Sequence, residues 1–276
     1  MIRIVSEAQY YSIIAGLRKK GYGFTNCCLL PMEIRRKIND RILLFLPIEK
    51  GMLLLEDVDN FYRCCFFLSE SAKYSSVDLD RDAVIEFPFT RALNDHQNKQ
   101  ILMISDLGFQ LGRESVMMSA DRESLVLLHE SEQKSFICET ATLEDISQIA
   151  AILKDCFNPL YAFLPNKIEL EAIVQHKEAL VIHEGKHIAA VLISKKKGNS
   201  ATISQVAVRR EYRGKGLGKT ILDTYHRQYQ KEIKYFRHWV DSHNMPAIKM
   251  YQGAGYGFTL RKANEYIKIR KGGKSL

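Results

Sequence analysis

No apolar run in the 276-residue chain approaches the roughly 20 residues that a membrane-crossing helix needs. Residues 1–11 lack the basic head and apolar core of a secretory leader. There is also no C-x-x-C. The six cysteines fall as the adjacent pairs Cys27-Cys28 and Cys64-Cys65 and as the single Cys138 and Cys156, which suits neither a zinc site nor a disulfide framework. His183 and His187 are four apart, but Glu184-Gly185-Lys186 turns the chain between them, so no helix brings both to one metal. The expectation is a cytoplasmic protein with reduced, mostly buried thiols, no metal and no membrane contact.

Positive charge is scarce in the first half and plentiful in the second. Residues 1–135 carry 17 Lys and Arg against 19 Asp and Glu, whereas the remainder carries 23 against 13. A basic excess of this size suits nucleic acid or a polyanionic cofactor. No basic stripe interleaved with aromatics is present, which favours a small polyanionic ligand over nucleic acid. The length suits two domains. The polar run 130–135 (ESEQKS) is the expected linker, giving domains at 1–130 and 136–270.

Periodicity predicts a mixed α/β composition throughout. In the first half, Ser6 caps a helix over 6–19, and a basic helix with a solvated face follows at 31–40. Strands are expected at 52–55 and 62–68 as a hairpin around 57–60, then at 83–89 and 113–119, with a helix at 94–105. In the second half, a strand at 136–139 precedes a helix capped by Thr142, with Glu144 and Asp145 in its first turn. An aromatic loop at 158–165, a helix at 168–176 and a hairpin of 179–183 with 188–194 come next.

The most informative stretch is Arg213-Gly214-Lys215-Gly216-Leu217-Gly218-Lys219-Thr220. It lies between a predicted strand at 201–208 and a predicted helix at 220–230. Three glycines in five residues leave backbone N–H groups uncovered beside a helix N-terminus, and Arg213, Lys215 and Lys219 add full charges. Such a turn binds phosphate or pyrophosphate. It is not a P-loop, since position 213 is arginine where the first glycine belongs, nor a dinucleotide fingerprint, since Lys219 stands where the third belongs. The pattern present is R-x-x-G-x-G, from Arg213, Gly216 and Gly218. Downstream, after a strand at 236–240, Asn244 suits an N-cap, Pro246 fits the first turn, and Tyr251 precedes Gly253, Ala254, Gly255 and Tyr256.

These two motifs, in this order, resemble those of the GNAT acyltransferase superfamily, and the resemblance covers about residues 136–270. It implies an α+β fold with a mixed central sheet flanked by helices. It also implies acetyl-CoA, or CoA itself, as the ligand. Val206 and Val208 would lend backbone groups to the pantetheine arm, with the Val208 N–H polarising the thioester. Arg213, Gly214, Lys215, Gly216, Leu217, Gly218 and Lys219 would hold the pyrophosphate. Asn244 would hydrogen-bond the pantetheine, and Tyr251 would protonate the leaving thiolate. The implied activity is N-acetyltransfer to a primary amine of a small molecule or peptide, the acceptor site being built by 158–165 and by residues 1–130.

Many relatives place a glutamate on the strand before the loop as general base; here that strand offers only Ser204 and Gln205. Asp241 and His243 are the nearby candidates, acting through water. The missing carboxylate keeps open a CoA-binding module that does no chemistry. RNA or ribosome association through the basic half and the 268–274 tail is a third reading. In the first half, a helix, then Leu107-Gly108-Phe109, then a strand parallels the Tyr251 region, with Ile104 at the tyrosine position and no glycine loop. Residues 1–130 are therefore expected to be a smaller α/β domain, a decayed GNAT-like unit without a cofactor site.

Overall fold

The computed structural model describes residues 1–58, 60–70, 72–128 and 136–270. The chain begins β1 (Ile2–Arg3), α1 (Glu7–Lys19), β2 (Phe24–Thr25), α2 (Pro31–Asn39), β3 (Leu43–Ile48), β4 (Gly51–Val58), β5 (Phe61–Leu68), β6 (Asp82–Thr90) and α3 (Asp95–Asp106). A long strand β7 (Gln110–Asp121) follows, then β8 (Cys138–Thr140), α4 (Ile146–Cys156), α5 (Lys167–Gln175), β9 (Ala179–Glu184), β10 (His187–Lys197) and β11 (Ser200–Val208). The last elements are α6 (Leu217–Tyr229), β12 (Tyr235–Asp241), α7 (Met245–Gly253) and β13 (Gly257–Lys268). No helix among the described residues is long and apolar enough to cross a membrane.

Two compact units form: Met1–Glu114 with Arg261–Leu276, and Ser115–Leu260. This division differs from a cut at the polar run 130–135, which lies outside the described residues. Its physical basis is a strand exchange. The strand after α3, β7, pairs its residues Ser115–Asp121 antiparallel with β12 of the second unit. The strand after α7, β13, pairs Arg261–Lys268 antiparallel with β6 of the first. The second unit thus completes its sheet with the strand that follows α3, and the first with the strand that follows α7. Polarity along the sequence carries no sign of this.

In the second unit the sheet runs β8, β9, β10, β11, β12, β7 and is antiparallel except for the β11–β12 pair. One face packs Leu217, Ile221, Leu222 and Tyr225 of α6 and Ile248 and Tyr251 of α7 against Ala190, Leu192, Ile203 and Phe236. The other face packs Ile149 and Leu153 of α4 and Leu170 and Val174 of α5 against Val181, Val191 and Ala207. This is the mixed, helix-flanked sheet that the sequence predicts.

The first unit repeats this plan on a smaller scale. Ser6 caps α1 by accepting from the Gln9 N–H, and Asn94 and Gln97 cap α3 reciprocally. The helix expected at 31–40 is not simply solvated: Ile34 and Ile38 enter a core, and the buried Lys37 pairs with Glu56. The ends of α3 and α7 match closely. Gly108 and Gly255 both have left-handed backbones (φ 88° and 92°), and Phe109 N–H reaches the Ile104 carbonyl as Tyr256 N–H reaches that of Tyr251. β5 and β6 pair in parallel only from Phe61↔Asp82 to Arg63↔Val84, then diverge. The chain itself fills the gap. β2 pairs with Phe67 and Leu68, while the Asn26 amide accepts from Phe66 N–H and donates to the Glu86 carbonyl, both at 2.9 Å.

His226, on α6, is fully buried and shares a 2.9 Å hydrogen bond with the Tyr256 hydroxyl; its Nδ1 is sealed without a partner. Burial pulls its pKa down to about 4, against the opposing pull of Asp223. The unfolded imidazole takes up its proton as pH falls through about 6.5, the folded one only near 4. Stability is therefore full above pH 6.5 and declines below it, by roughly 3 kcal/mol from this group at pH 4. Chemical denaturation of His226→Gln beside wild type across this range should show a shallower decline in the variant. Parallel curves would contradict the buried neutral imidazole.

Candidate cofactor and active site

β11 and β12 pair in parallel from Ser200↔Tyr235 to Ile203↔His238 and then part, although β11 runs on to Val208 and β12 to Asp241. Their outer partners stay bound to the end, Val208 opposite Ala190 and Asp241 opposite Ser115. The result is a wedge between two strands. Its apex coincides with a bulge, since Ser194 faces Ile203 while Ile193 faces Gln205, leaving Ser204 as the extra residue. The bulge reverses the faces of the strand. Ala201 and Ile203 point to the α6 core before it, and Val206 and Val208 do so after it, with Ala207 sent to the α4–α5 core.

The strand's hydrogen-bonding phase decides what lines the wedge. Arg209 N–H bonds the Ala189 carbonyl at 2.9 Å, so Val208 and Ala190 form a pair that exchanges no hydrogen bonds. The N–H and C=O of Val208, and by alternation those of Val206, therefore turn away from β10 and towards the wedge. The Val208 carbonyl accepts from Arg213 Nε at 3.0 Å and lies 3.7 Å from Cys156 Sγ.

The glycine-rich turn opens directly onto α6. Gly214 and Gly216 take left-handed conformations (φ 76° and 95°), and Gly216 is the N-cap, which has no side chain to cap with. The helix starts at Leu217, three residues before the predicted start, so Leu217, Gly218 and Lys219 form its uncapped first turn. Leu217 itself is core, leaving only its backbone for a ligand. A Cβ at Gly218 would lie 2.9 Å from Met250 Sδ of α7, so a larger residue there would have to displace that flexible side chain. Lys215 and Lys219 are exposed, Lys215 Nζ lying 4.9 Å from the Tyr212 ring centre. Among the described residues, no group of three or more His, Cys, Asp or Glu is placed to hold a metal ion.

Asn244 caps α7 as expected, its Oδ1 accepting from Ala247 N–H at 3.2 Å. Tyr251 is 1% exposed, its ring 4.5 Å from that of His238 and 5.4 Å from that of Tyr256. Burial pushes its phenol well above the ordinary value, so it keeps its proton. Its hydroxyl has no hydrogen-bond partner among the described residues, yet it is not sealed as the Tyr225 hydroxyl is.

Residues 146–256 match the profile of the Acetyltransferase (GNAT) family. Residues 146–256 are a GNAT acetyltransferase domain. Among solved structures, the chain resembles a GCN5-related N-acetyltransferase from Sphaerobacter thermophilus (TM-score 0.55, 13% identity), covering 88% of this chain and 87% of that one. It also resembles a GCN5-related N-acetyltransferase from Kribbella flavida (TM-score 0.51, 14% identity), covering 95% and 96%. At these identities the likeness concerns the fold alone. No curated protein matches the sequence.

His243 has 78% of its side chain exposed, and its backbone N–H binds the Asp241 carboxylate at 2.8 Å, a local turn. Gln205 is buried and donates to the Phe163 carbonyl at 2.6 Å, pinning the 158–165 loop. His183 Nε2 lies 2.9 Å from the Asp145 carboxylate. Only Cys64 of the cysteines is fully buried and Cys28 is exposed, a correction to the expectation of mostly buried thiols. The sequence reading missed His238. Its signal was its place in the strand YFRHWVD, in step with the inward-facing Phe236 and Val240.

Proposed function

We propose that the chain is an acyl-CoA-dependent N-acyltransferase, with acetyl-CoA the simplest donor, acting on a primary amine of a small molecule or peptide. The observation that carries this reading is the coincidence of three features in the GNAT domain. The wedge opens at Ile203/His238, the Tyr251 ring packs against His238 at its apex, and the uncapped N-terminus of α6 follows its β11 side.

These residues fit a CoA thioester, which when bound supplies an acyl group activated by a thiol leaving group. The N–H groups of Leu217, Gly218 and Lys219 and the charges of Arg213, Lys215 and Lys219 would hold the pyrophosphate, with Gly214 and Gly216 letting the backbone approach. Val206 and Val208 would pair with the pantetheine amides, and the Asn244 side chain would add a further hydrogen bond. The Val208 N–H would donate to the carbonyl oxygen where negative charge develops. Tyr251 would hold its proton for the departing sulfur.

Thiol release from acetyl-CoA over a panel of primary amines tests the reading. Turnover with any amine above the hydrolytic background supports it. A competing reading, a CoA-binding module without turnover, is favoured by the absence of a carboxylate at Ser204 or Gln205. It would give a CoA-dependent rise in melting temperature with no thiol release.

The same reading predicts one CoA per chain. In the first unit the comparable gap is occupied by Phe24, Thr25 and the Asn26 amide, and Ile104 stands where Tyr251 stands in the second. Calorimetric titration should give a stoichiometry of one; a value of two would assign a cofactor site to the first unit as well.

A further inference from the structure

Resting on the acyltransferase reading, we propose that His238 is the proton acceptor of the transfer, acting beside Tyr251 as the proton donor. His238 is the last residue of β12 paired with β11, opposite Ile203, where the wedge opens. Its Nδ1 lies 3.0 Å from the Ile203 carbonyl, which can only accept, so Nδ1 carries the proton and Nε2 keeps its lone pair. Nε2 has no partner among the described residues and is not sealed, in contrast to His226 Nδ1. A base is thus held in one tautomer, at the apex of the wedge, by a single backbone contact.

The surroundings keep it neutral. Tyr251 stacks on it from α7, with Tyr256 behind, and Met118 lies opposite on β7, while Phe236 and Val240 flank it on its own strand. None of these carries a charge. Burial therefore draws the imidazole down to about 4, only partly offset by the Ile203 contact. It is a weak base towards a free ammonium but suits an amine already attacking a carbonyl, whose N–H becomes far more acidic as the C–N bond forms.

The step balances without any other reactant. The amine nitrogen bonds to the thioester carbonyl carbon, and its surplus proton passes to His238 Nε2. The C–S bond then breaks with its electron pair on sulfur, and the thiolate takes the Tyr251 proton. This leaves an amide, a thiol, an imidazolium and a phenolate. Exchange with solvent restores both residues, the imidazolium releasing one proton and the phenolate taking one up.

His238→Asn tests this, because the asparagine amide can still donate to Ile203 while Nε2 is lost. Three readouts apply: CoA affinity by calorimetry, thiol release from acetyl-CoA with hydroxylamine as a small amine, and the imidazole nitrogen spectrum of wild type. The expectation is CoA affinity within about twofold, thiol release lower by about 10²–10³, in the range of acid–base catalysis, and an unprotonated Nε2 from pH 8 down to about 5. A merely structural role would leave the asparagine variant at the wild-type rate, overturning the proposal. If hydroxylamine does not react, the spectrum decides, and a proton on Nε2 overturns it. Failure of wild type to bind CoA would instead overturn the acyltransferase reading itself.

Discussion

Replacing Tyr251 by phenylalanine leaves CoA affinity nearly unchanged and lowers turnover by about 10²–10⁴, the usual contribution of a general acid. The ring contributes packing, against His238 and Tyr256, and phenylalanine preserves it. What disappears is a hydroxyl that no described residue engages and that burial keeps protonated. The loss should fall equally on kcat and kcat/KM, because the interaction arises only as charge develops on sulfur. It should shrink with an acyl donor whose thiol is more acidic and needs less help. Steady-state kinetics with two donors of different thiol acidity checks this. Unchanged turnover would remove Tyr251 from the mechanism, and a rise in KM for the donor alone would limit it to positioning.

Replacing Gly216 by glutamate abolishes CoA binding while the fold survives. The residue is the N-cap of α6 with φ 95°, a conformation that a side chain adopts only under strain, of order 1 kcal/mol. That is small against the stability of a domain. The added carboxylate would stand at the positive end of the helix, where the pyrophosphate is proposed to sit, and would oppose it in both space and charge. Calorimetry and circular dichroism together read the outcome. Wild-type affinity in a folded variant would place the pyrophosphate elsewhere.

Some of this site was legible in the residues because its chemistry is local. Gly214 and Gly216 were readable as a phosphate-type turn, Asn244 as a cap and Gly253 or Gly255 as a helix stop, since each depends on the conformation of a few neighbouring residues. The wedge was not legible. It depends on one extra residue, Ser204, and the apolar alternation of Ala201, Ile203 and Ala207 runs through the bulge without a break. The roles of β7 and β13 were hidden for a different reason. Which sheet a strand joins is a property of distant partners, so the polar run at 130–135 suggested a boundary that the contacts place at Glu114/Ser115 and Leu260/Arg261. Asn26 escaped notice for the same cause, being polar and solitary in sequence yet bridging β5 and β6. His238 read as an ordinary strand residue until the position where β11 leaves β12 gave it a place.

The most direct test of the central claim is amide hydrogen exchange on the full chain with and without acetyl-CoA. Slowed exchange on binding is expected at residues 206–219 and 244–251, the proposed pyrophosphate and thioester contacts, with no change at 24–26 or 61–90. Protection confined to the first unit, or no protection at saturating acetyl-CoA, would contradict the assignment of the cofactor site to the GNAT domain.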